Sequence, residues 1–239
     1  MSAENAFTRE NLNEYLKALA KEFRRRNGTA MPAEIILIGG ASILANYGFR
    51  EMTYDMDAII TASSAMKEAI AFVGEKYSLP SGWLNTDFTR TKSYSQKLLE
   101  VLVYYKTFSN IVTIRTVAAE YLVAMKLMSG RRYKNDLSDI AGILWEHQKS
   151  ENPITMDMID AAVLALYGGW DEVPENSKAF ISAVLANGDY ETLYSQSRDS
   201  ELQSKDVLLD FEQRYPNTLK TEDIDSVLEK TRQKKREQG

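Results

Sequence analysis

The sequence predicts an α/β fold, a β-sheet flanked by helices, followed by a helical C-terminal region. Two observations lead to this prediction. Short apolar runs rich in β-branched and aromatic residues are typical of buried strands and occur at 35–38, 58–60, 98–105 and 111–115. Apolar residues at helical spacing flank the first runs, and after Pro153 helical spacing is the dominant pattern. We therefore expect a first domain over residues 1–116 and a helical domain over residues 117–239.

The N-terminal elements follow from capping and breaking residues. Thr8 is a typical N-cap, and the helix that it opens is predicted to stop at Asn27-Gly28. A strand follows Pro32, then a helix over 42–47, a strand over 54–60 and a helix that Ser63-Ser64 caps and Pro80 ends. The predicted order is helix, strand, helix, strand, helix.

Residues 81–96 have no clear period and are expected to form a long loop or short strand near the site. Trp83 in this segment either anchors the loop to the core or stacks on a base, and the anchor is the favoured interpretation. The apolar segments 98–105 and 111–115 then predict a β-hairpin, followed by helices over 116–129 and from Asp136 onward. Thr155 and Pro174 open further helices, and a last amphipathic helix is expected around Ile224 and Leu228.

Composition and charge exclude several classes of protein. The chain has 239 residues, 44% of them hydrophobic, so it can bury a core. It contains no cysteine, which excludes disulfides and thiolate zinc sites and fits a cytoplasmic location. The net charge of −5 argues against nonspecific coating of nucleic acid. The first ten residues lack a secretory pattern and no run is long enough to cross a bilayer, so we expect no membrane association.

The stretch from Glu34 to Ile60 carries the strongest chemical signal. A buried strand is predicted to end at Gly39-Gly40, where backbone without Cβ can approach a phosphate and the next helix offers free N–H groups. Asp55 and Asp57 lie two apart at the start of the next strand, so their carboxylates should share a face and hold Mg²⁺ or Mn²⁺. Taken singly, a glycine pair is most often only a tight turn, and Asp-x-Asp is often a solvated strand edge.

Together, and in this order, the glycine pair and Asp-x-Asp resemble the first motif of the DNA-polymerase-β-like nucleotidyltransferases. Fourteen residues separate Gly40 from Asp55, at the long end of that pattern, and the serine that often follows the first glycine is displaced here to Ser42. The resemblance implies a nucleotidyltransferase-like mixed sheet, an NTP substrate bound with a divalent cation, and phosphate contacts from Gly39, Gly40 and Ser42. It also implies a third carboxylate on a later strand. Glu100 is the candidate, with an ordinary surface glutamate as the alternative.

A second motif lies at Lys126, Arg131, Asp136 and Asp139. It resembles the later motif of AbiEii-type nucleotidyltransferase toxins, which implies that Lys126 reaches the triphosphate, with Asp136 or Asp139 orienting basic residues or taking part in catalysis. Arg131, in a basic cluster over 131–134, is a further candidate for phosphate binding. The alternative is an ordinary helical hairpin, with the aspartates capping the second helix and pairing with Arg131 or Arg132.

The resemblance covers roughly residues 34–145 and predicts transfer of a nucleoside monophosphate from an NTP to a hydroxyl of a tRNA or a protein. It further implies a role as a toxin, with an antitoxin as a partner. Two other functions remain open: a degenerate member that binds nucleotide or a partner protein without turnover, and a purely structural partner in a multi-protein system.

Overall fold

The computed structural model describes residues 6–218, 224 and 226–230. A five-stranded mixed sheet flanked by helices is followed by a helical C-terminal region, which confirms the predicted fold class. The elements are α1 (Arg9–Asn27), β1 (Ala33–Leu37), α2 (Gly39–Asn46), β2 (Met56–Thr61), α3 (Ala65–Lys76), β3 (Leu84–Asn85), β4 (Leu102–Phe108), β5 (Val112–Val117), α4 (Ala119–Ser129), α5 (Asp136–Lys149), α6 (Met156–Tyr167), α7 (Glu175–Asn187) and α8 (Tyr190–Arg214). Two 3₁₀ helices, Asp87–Arg90 and Gln96–Glu100, precede β4.

The strand directions bring the ends of several strands together. The strand order is β3-β2-β1-β5-β4, with β1 antiparallel to β2 and parallel to β5. β3 runs parallel to β2, and β4 runs antiparallel to β5. Strands β1 and β5 therefore end at the same end of the sheet at which β2, β3 and β4 begin. We call this the glycine end, because Gly39 and Gly40 directly follow β1 there.

One face of the sheet is covered by α1 and α3. Successive strand residues point to opposite faces, so Met56 and Ala58 share the face on which Leu37 and Ile35 pack. These side chains form one buried cluster with residues of α1 and α3. Asp57 and Ile59 belong to the opposite face and are only half-buried. Asp57 is therefore presented away from this cluster.

The predicted hairpin is confirmed, with a shorter first strand. Ser109 and Asn110 have φ values of 52° and 53°, as a two-residue turn between twisted strands requires. β4 begins at Leu102, whereas the sequence predicts a strand from Leu98. Leu98 instead lies in a 3₁₀ helix and is fully buried. A short buried apolar run fits either structure, so periodicity alone does not separate them.

The chain folds into two compact units. The first contains the described residues up to Met128 and Ile154–Glu172, and so holds the whole sheet and α6. There α6 packs near the 3₁₀ helix that precedes β4, and the Tyr167 hydroxyl donates to the Ser93 carbonyl at 2.8 Å. Burial raises the pKa of this phenol well above its usual value. Tyr167 thus fixes the loop before β4 from within this unit.

The second unit is helical. It contains Ser129–Pro153 and the described residues from Val173 onward, with α5 packed along α8. Trp145 of α5 stacks on Tyr194 of α8, with ring centroids 5.9 Å apart. The expected last helix is present over 226–230, and Ile224 and Leu228 pack with Leu208 of α8. In the part of the chain that the structure describes, no helix has the length and apolar character needed to cross a bilayer.

Candidate active site

The glycine pair lies at the glycine end of the sheet, directly after β1. The sequence predicts a turn before a helix that starts at Ser42, but Gly39 and Gly40 are the first two residues of α2. Gly39 has φ +53°, and an added Cβ would meet no atom within 4 Å, so the space beside it is open. Since the first N–H groups of a helix have no partner within the helix, the start of α2 offers donors at this position.

Asp57 is tied to this turn by the backbone. The Ile38 amide, at the N-cap of α2, donates to the Asp57 carbonyl at 2.9 Å. Asp57 is half-buried on the face opposite to Met56, which is fully buried. Asp55 lies one residue before β2 and is exposed. The structure thus brings Asp55, Asp57 and the start of α2 to one end of the sheet.

Asn85 is a neighbour of Asp57 that the sequence pattern does not indicate as a site residue. Its segment was expected to be a loop or short strand, and the structure shows a two-residue strand, β3, with Asn85 in register with Asp57. Residues paired in this way point to the same face. The Asn85 amide oxygen accepts from the Asp87 backbone at 2.9 Å. A strand of two residues has no detectable period, so the sequence carries no signal for this pairing.

Trp83, immediately before β3, is the predicted anchor. It is 3% exposed, and its ring nitrogen donates to the Ile70 carbonyl at 3.1 Å. Its ring lies among those of Phe7 and Tyr15 in the core. These contacts confirm the anchoring role, and such burial leaves no face of the indole for base stacking.

The placement of Glu100 in a strand is wrong. Glu100 ends the 3₁₀ helix Gln96–Glu100, two residues before β4. Its side chain is 67% exposed, and a carboxylate oxygen lies 3.2 Å from the Lys97 ammonium. An exposed ion pair three residues apart is the arrangement expected of a surface glutamate.

Ser42 and Lys126 are both buried in the first unit. Ser42 is fully buried in α2, and its hydroxyl oxygen lies 3.5 Å from the Val117 amide, which donates to it. That contact holds α2 against the end of β5. Lys126 is 8% exposed near the end of α4, and the other buried residues of this helix are apolar.

In the second unit, Arg131 holds Asp136. The Arg131 guanidinium donates to the two Asp136 oxygens at 2.9 and 3.3 Å, and its backbone N–H donates to one of them at 3.2 Å. Asp136 has no exposed surface, and Asp139 is 2% exposed. Asp136 also lies in the first turn of α5, where the helix dipole favours a carboxylate. The pairing of Asp136 with Arg131 matches the helical-hairpin alternative.

The sequence pattern does not indicate a third acid that lies beside these two. Glu201 of α8 is 4% exposed and accepts from the Ser138 hydroxyl at 2.5 Å and the Leu137 amide at 2.8 Å. Burial, with Asp139 nearby, raises the pKa of Glu201 to about 8, although its hydrogen bonds to Ser138 and Leu137 oppose the rise. The sequence gives no sign that Glu201 is buried, because its helix is amphipathic and mostly polar. Only packing along α5 buries this position.

The donor set suits a weakly held hard cation. Among the described residues, no three His, Cys, Asp or Glu side chains are grouped to hold a metal ion. Asp55 and Asp57 supply two carboxylates, one of them exposed. Mg²⁺ commonly takes one or two carboxylates and completes its shell with water and substrate phosphate. The two aspartates therefore fit a cation that arrives with a nucleotide, and do not form a closed protein site.

Comparison with protein families matches residues 14–161 to the model described as "Nucleotidyltransferase of unknown function (DUF6036)". The matched region includes the whole sheet, the glycine pair, both aspartates and α5. Searches of the curated proteins and of the solved structures gave no significant match. Since the family model covers more than half of the chain, the protein belongs to this family of nucleotidyltransferases whose function is not known.

Proposed function

We propose that the protein transfers a nucleoside monophosphate from an NTP to a hydroxyl group, with a divalent cation bound at Asp55 and Asp57. The observation that carries this proposal is the direct contact between the two halves of the site. The Ile38 amide donates to the Asp57 carbonyl at 2.9 Å, so the backbone that carries Asp57 and the start of α2 are fixed to each other. A helix N-terminus favours phosphate, and paired carboxylates favour the cation that accompanies phosphate.

The residues have separate roles in the reaction. Asp55 and Asp57 hold Mg²⁺ or Mn²⁺, which when bound neutralises phosphate charge and polarises the acceptor hydroxyl. The amides of Gly39 and Gly40 bind phosphate oxygens, and the space beside Gly39 is open. The acceptor oxygen attacks the α-phosphorus, the bond from that phosphorus to the β-phosphate oxygen breaks, and pyrophosphate leaves while the hydroxyl proton passes to solvent.

The second motif has a lesser part in the proposal. Lys126 is assigned the neutralisation of triphosphate charge, as the resemblance to AbiEii-type toxins implies. Asp136 is assigned the positioning of Arg131, because the Arg131 guanidinium donates to the buried Asp136 carboxylate. Ser42 is assigned the packing of α2 against β5, which its burial supports. Glu100 is left out of the machinery, since its exposed ion pair with Lys97 gives no support for a catalytic role.

The acceptor and the biological role rest on the resemblance alone. We propose a tRNA end or a protein hydroxyl as the acceptor, and a neighbouring antitoxin as the restraining partner. A net charge of −5 supports a limited RNA contact in preference to extended nonspecific binding.

The test is transfer of label from each α-labelled NTP to total RNA and total protein, with and without Mg²⁺ or Mn²⁺. We expect labelled acceptor with the wild type and at least 100-fold less with Asp55→Ala or Asp57→Ala, since each removes a cation ligand. Asp157→Ala, which removes an exposed carboxylate of α6, is the matched control and should keep full activity. Equal transfer by the wild type and the Asp57 variant would refute the proposal.

One observation favours a second candidate, a member that binds nucleotide without turnover. The side chain in register with Asp57 is the amide Asn85, which cannot take up a proton from an attacking hydroxyl. Binding of Mg-NTP that depends on Asp55 and Asp57, together with no transfer to any acceptor, would establish this candidate in place of the first.

A further inference from the structure

The two glycines of the turn are required for different reasons. An added Cβ at Gly39 would meet nothing within 4 Å, whereas one at Gly40 would lie 2.7 Å from the Thr53 Oγ1 and 3.0 Å from an Arg50 guanidinium nitrogen. Gly39 therefore leaves open space beside the helix start, while Gly40 allows the segment 50–53 to press against α2. This second contact joins the turn to the residues immediately before the aspartates.

Thr53 links this contact to Asp55. Its hydroxyl lies 3.2 Å from the Asp55 carbonyl oxygen and 3.3 Å from the Asp55 carboxylate, and it can donate to either. Thr53 is 2% exposed, so water does not compete for this hydroxyl. At 3.3 Å the contact with the carboxylate is long for a hydroxyl–carboxylate hydrogen bond, but it restricts where the carboxylate can point.

Thr53 is itself fixed from the core. Its backbone N–H and C=O pair with Phe7 at 2.9 and 2.7 Å, an isolated bridge outside the sheet. Phe7 is 1% exposed and lies edge-on to Tyr15, with Trp83 on another side. The Thr53 side chain is thus held between an anchored backbone and the start of α2.

We propose that Thr53 is a positioning residue that sets the direction of the Asp55 carboxylate, and that cation affinity at Asp55 and Asp57 depends on it. One Asp55 oxygen is oriented by the Thr53 hydroxyl, which leaves the other for the cation. Gly40 is part of the same arrangement, because a side chain at this position would displace the Thr53 hydroxyl. This inference rests on the proposed function, since it assumes a cation at the two aspartates.

The test measures Mn²⁺ binding to the full-length protein by electron paramagnetic resonance, in the absence of nucleotide. Thr53→Val keeps the shape and loses the hydroxyl, and we expect the dissociation constant for Mn²⁺ to rise about tenfold, as loss of one hydrogen bond to a charged group predicts. Thr53→Ser keeps the hydroxyl and should bind within about twofold of the wild type. The bridge to Phe7 uses only backbone atoms, so both variants should remain folded. Thermal unfolding checks this.

The outcomes separate this inference from the proposed function. If Asp55→Ala abolishes Mn²⁺ binding while a folded Thr53→Val protein binds as the wild type does, the positioning role is wrong and the cation site stands. If Thr53→Ser is weakened as much as Thr53→Val, the hydroxyl is not responsible and the inference is also wrong. If the wild type binds Mn²⁺ no better than the Asp55→Ala and Asp57→Ala double variant, both the inference and the cation site fail.

Discussion

At the scale of single residues, the replacement of Gly40 has a direct structural consequence. A Cβ at Gly40 would overlap the Thr53 hydroxyl at 2.7 Å, and Thr53 cannot yield easily because its backbone is bonded to Phe7. We expect Gly40→Ala to lower the free energy of unfolding by about 1–3 kcal/mol, the usual cost of overpacking.

The chain offers matched controls for this substitution. Gly39→Ala meets no atom but must hold φ near +53°, which costs an alanine about 1–2 kcal/mol. Gly48→Ala meets no atom within 4 Å and has no positive φ, so it should be close to neutral. Urea unfolding of the three variants checks whether Gly40→Ala and Gly39→Ala are both less stable than Gly48→Ala. A Gly40→Ala protein as stable as the Gly48→Ala protein would show that the contact with Thr53 is not tight.

The site residues themselves were predictable to different degrees. Asp55, Asp57 and the glycine pair follow from local pattern, because strand and turn signals lie within thirty residues of one another. Asn85 does not follow from the pattern, because a two-residue strand has no period and the position of Asn85 beside Asp57 depends on how β3 pairs with β2. The burial of Asp136 and Glu201 likewise depends on which helices pack together, and a single sequence does not contain that information.

Between elements, Glu201 is the clearest link, because it joins α8 to the N-terminus of α5. Its folded pKa of about 8 lies above the ordinary value of 4.5, so the folded state holds a proton that the unfolded state releases between these values. Stability from this group is therefore full below pH 4.5 and is lost as the pH rises to about 8, at no more than about 1.4 kcal/mol per pH unit.

Glu201→Gln tests this linkage. The amide oxygen still accepts from the Leu137 backbone, but the side chain no longer titrates. Thermal unfolding of the wild type and the variant is measured from pH 5 to pH 8 by the fluorescence of Trp145, which stacks on Tyr194. Stability should fall less with pH in the variant than in the wild type. Parallel curves for the two proteins would mean that Glu201 is ionised throughout this range.

Elements with strong local signals were predicted well, and elements set by packing were not. α1 has a capping box at Thr8 and Asn11 and a stripe of buried leucines, and the sequence predicted it from Thr8 to Asn27. The sequence predicts a start of β4 four residues too early, because a buried leucine such as Leu98 fits both a strand and a 3₁₀ helix. The start of α2 was placed three residues late, because glycine at a helix start reads as a turn.

For the whole molecule, the sequence was sufficient for the fold class. The alternation of helices and strands over the first 117 residues and the helical remainder both appear in the structure. The pattern of α6 shows that it is a helix, but it does not show that this helix joins the unit that contains the sheet. Membership of a compact unit depends on long-range contacts such as that of Tyr167 with Ser93, which no local pattern encodes.

The whole-molecule account depends on the claim that the glycine turn and the two aspartates bind one metal-nucleotide complex. Calorimetric titration of the full-length protein with an NTP, with and without Mg²⁺, tests it most directly, beside an Asp55→Asn and Asp57→Asn double variant of nearly unchanged shape. We predict that the wild type binds the NTP only with Mg²⁺ and that the double variant does not bind it. Equal binding of Mg-NTP by both proteins would contradict the account.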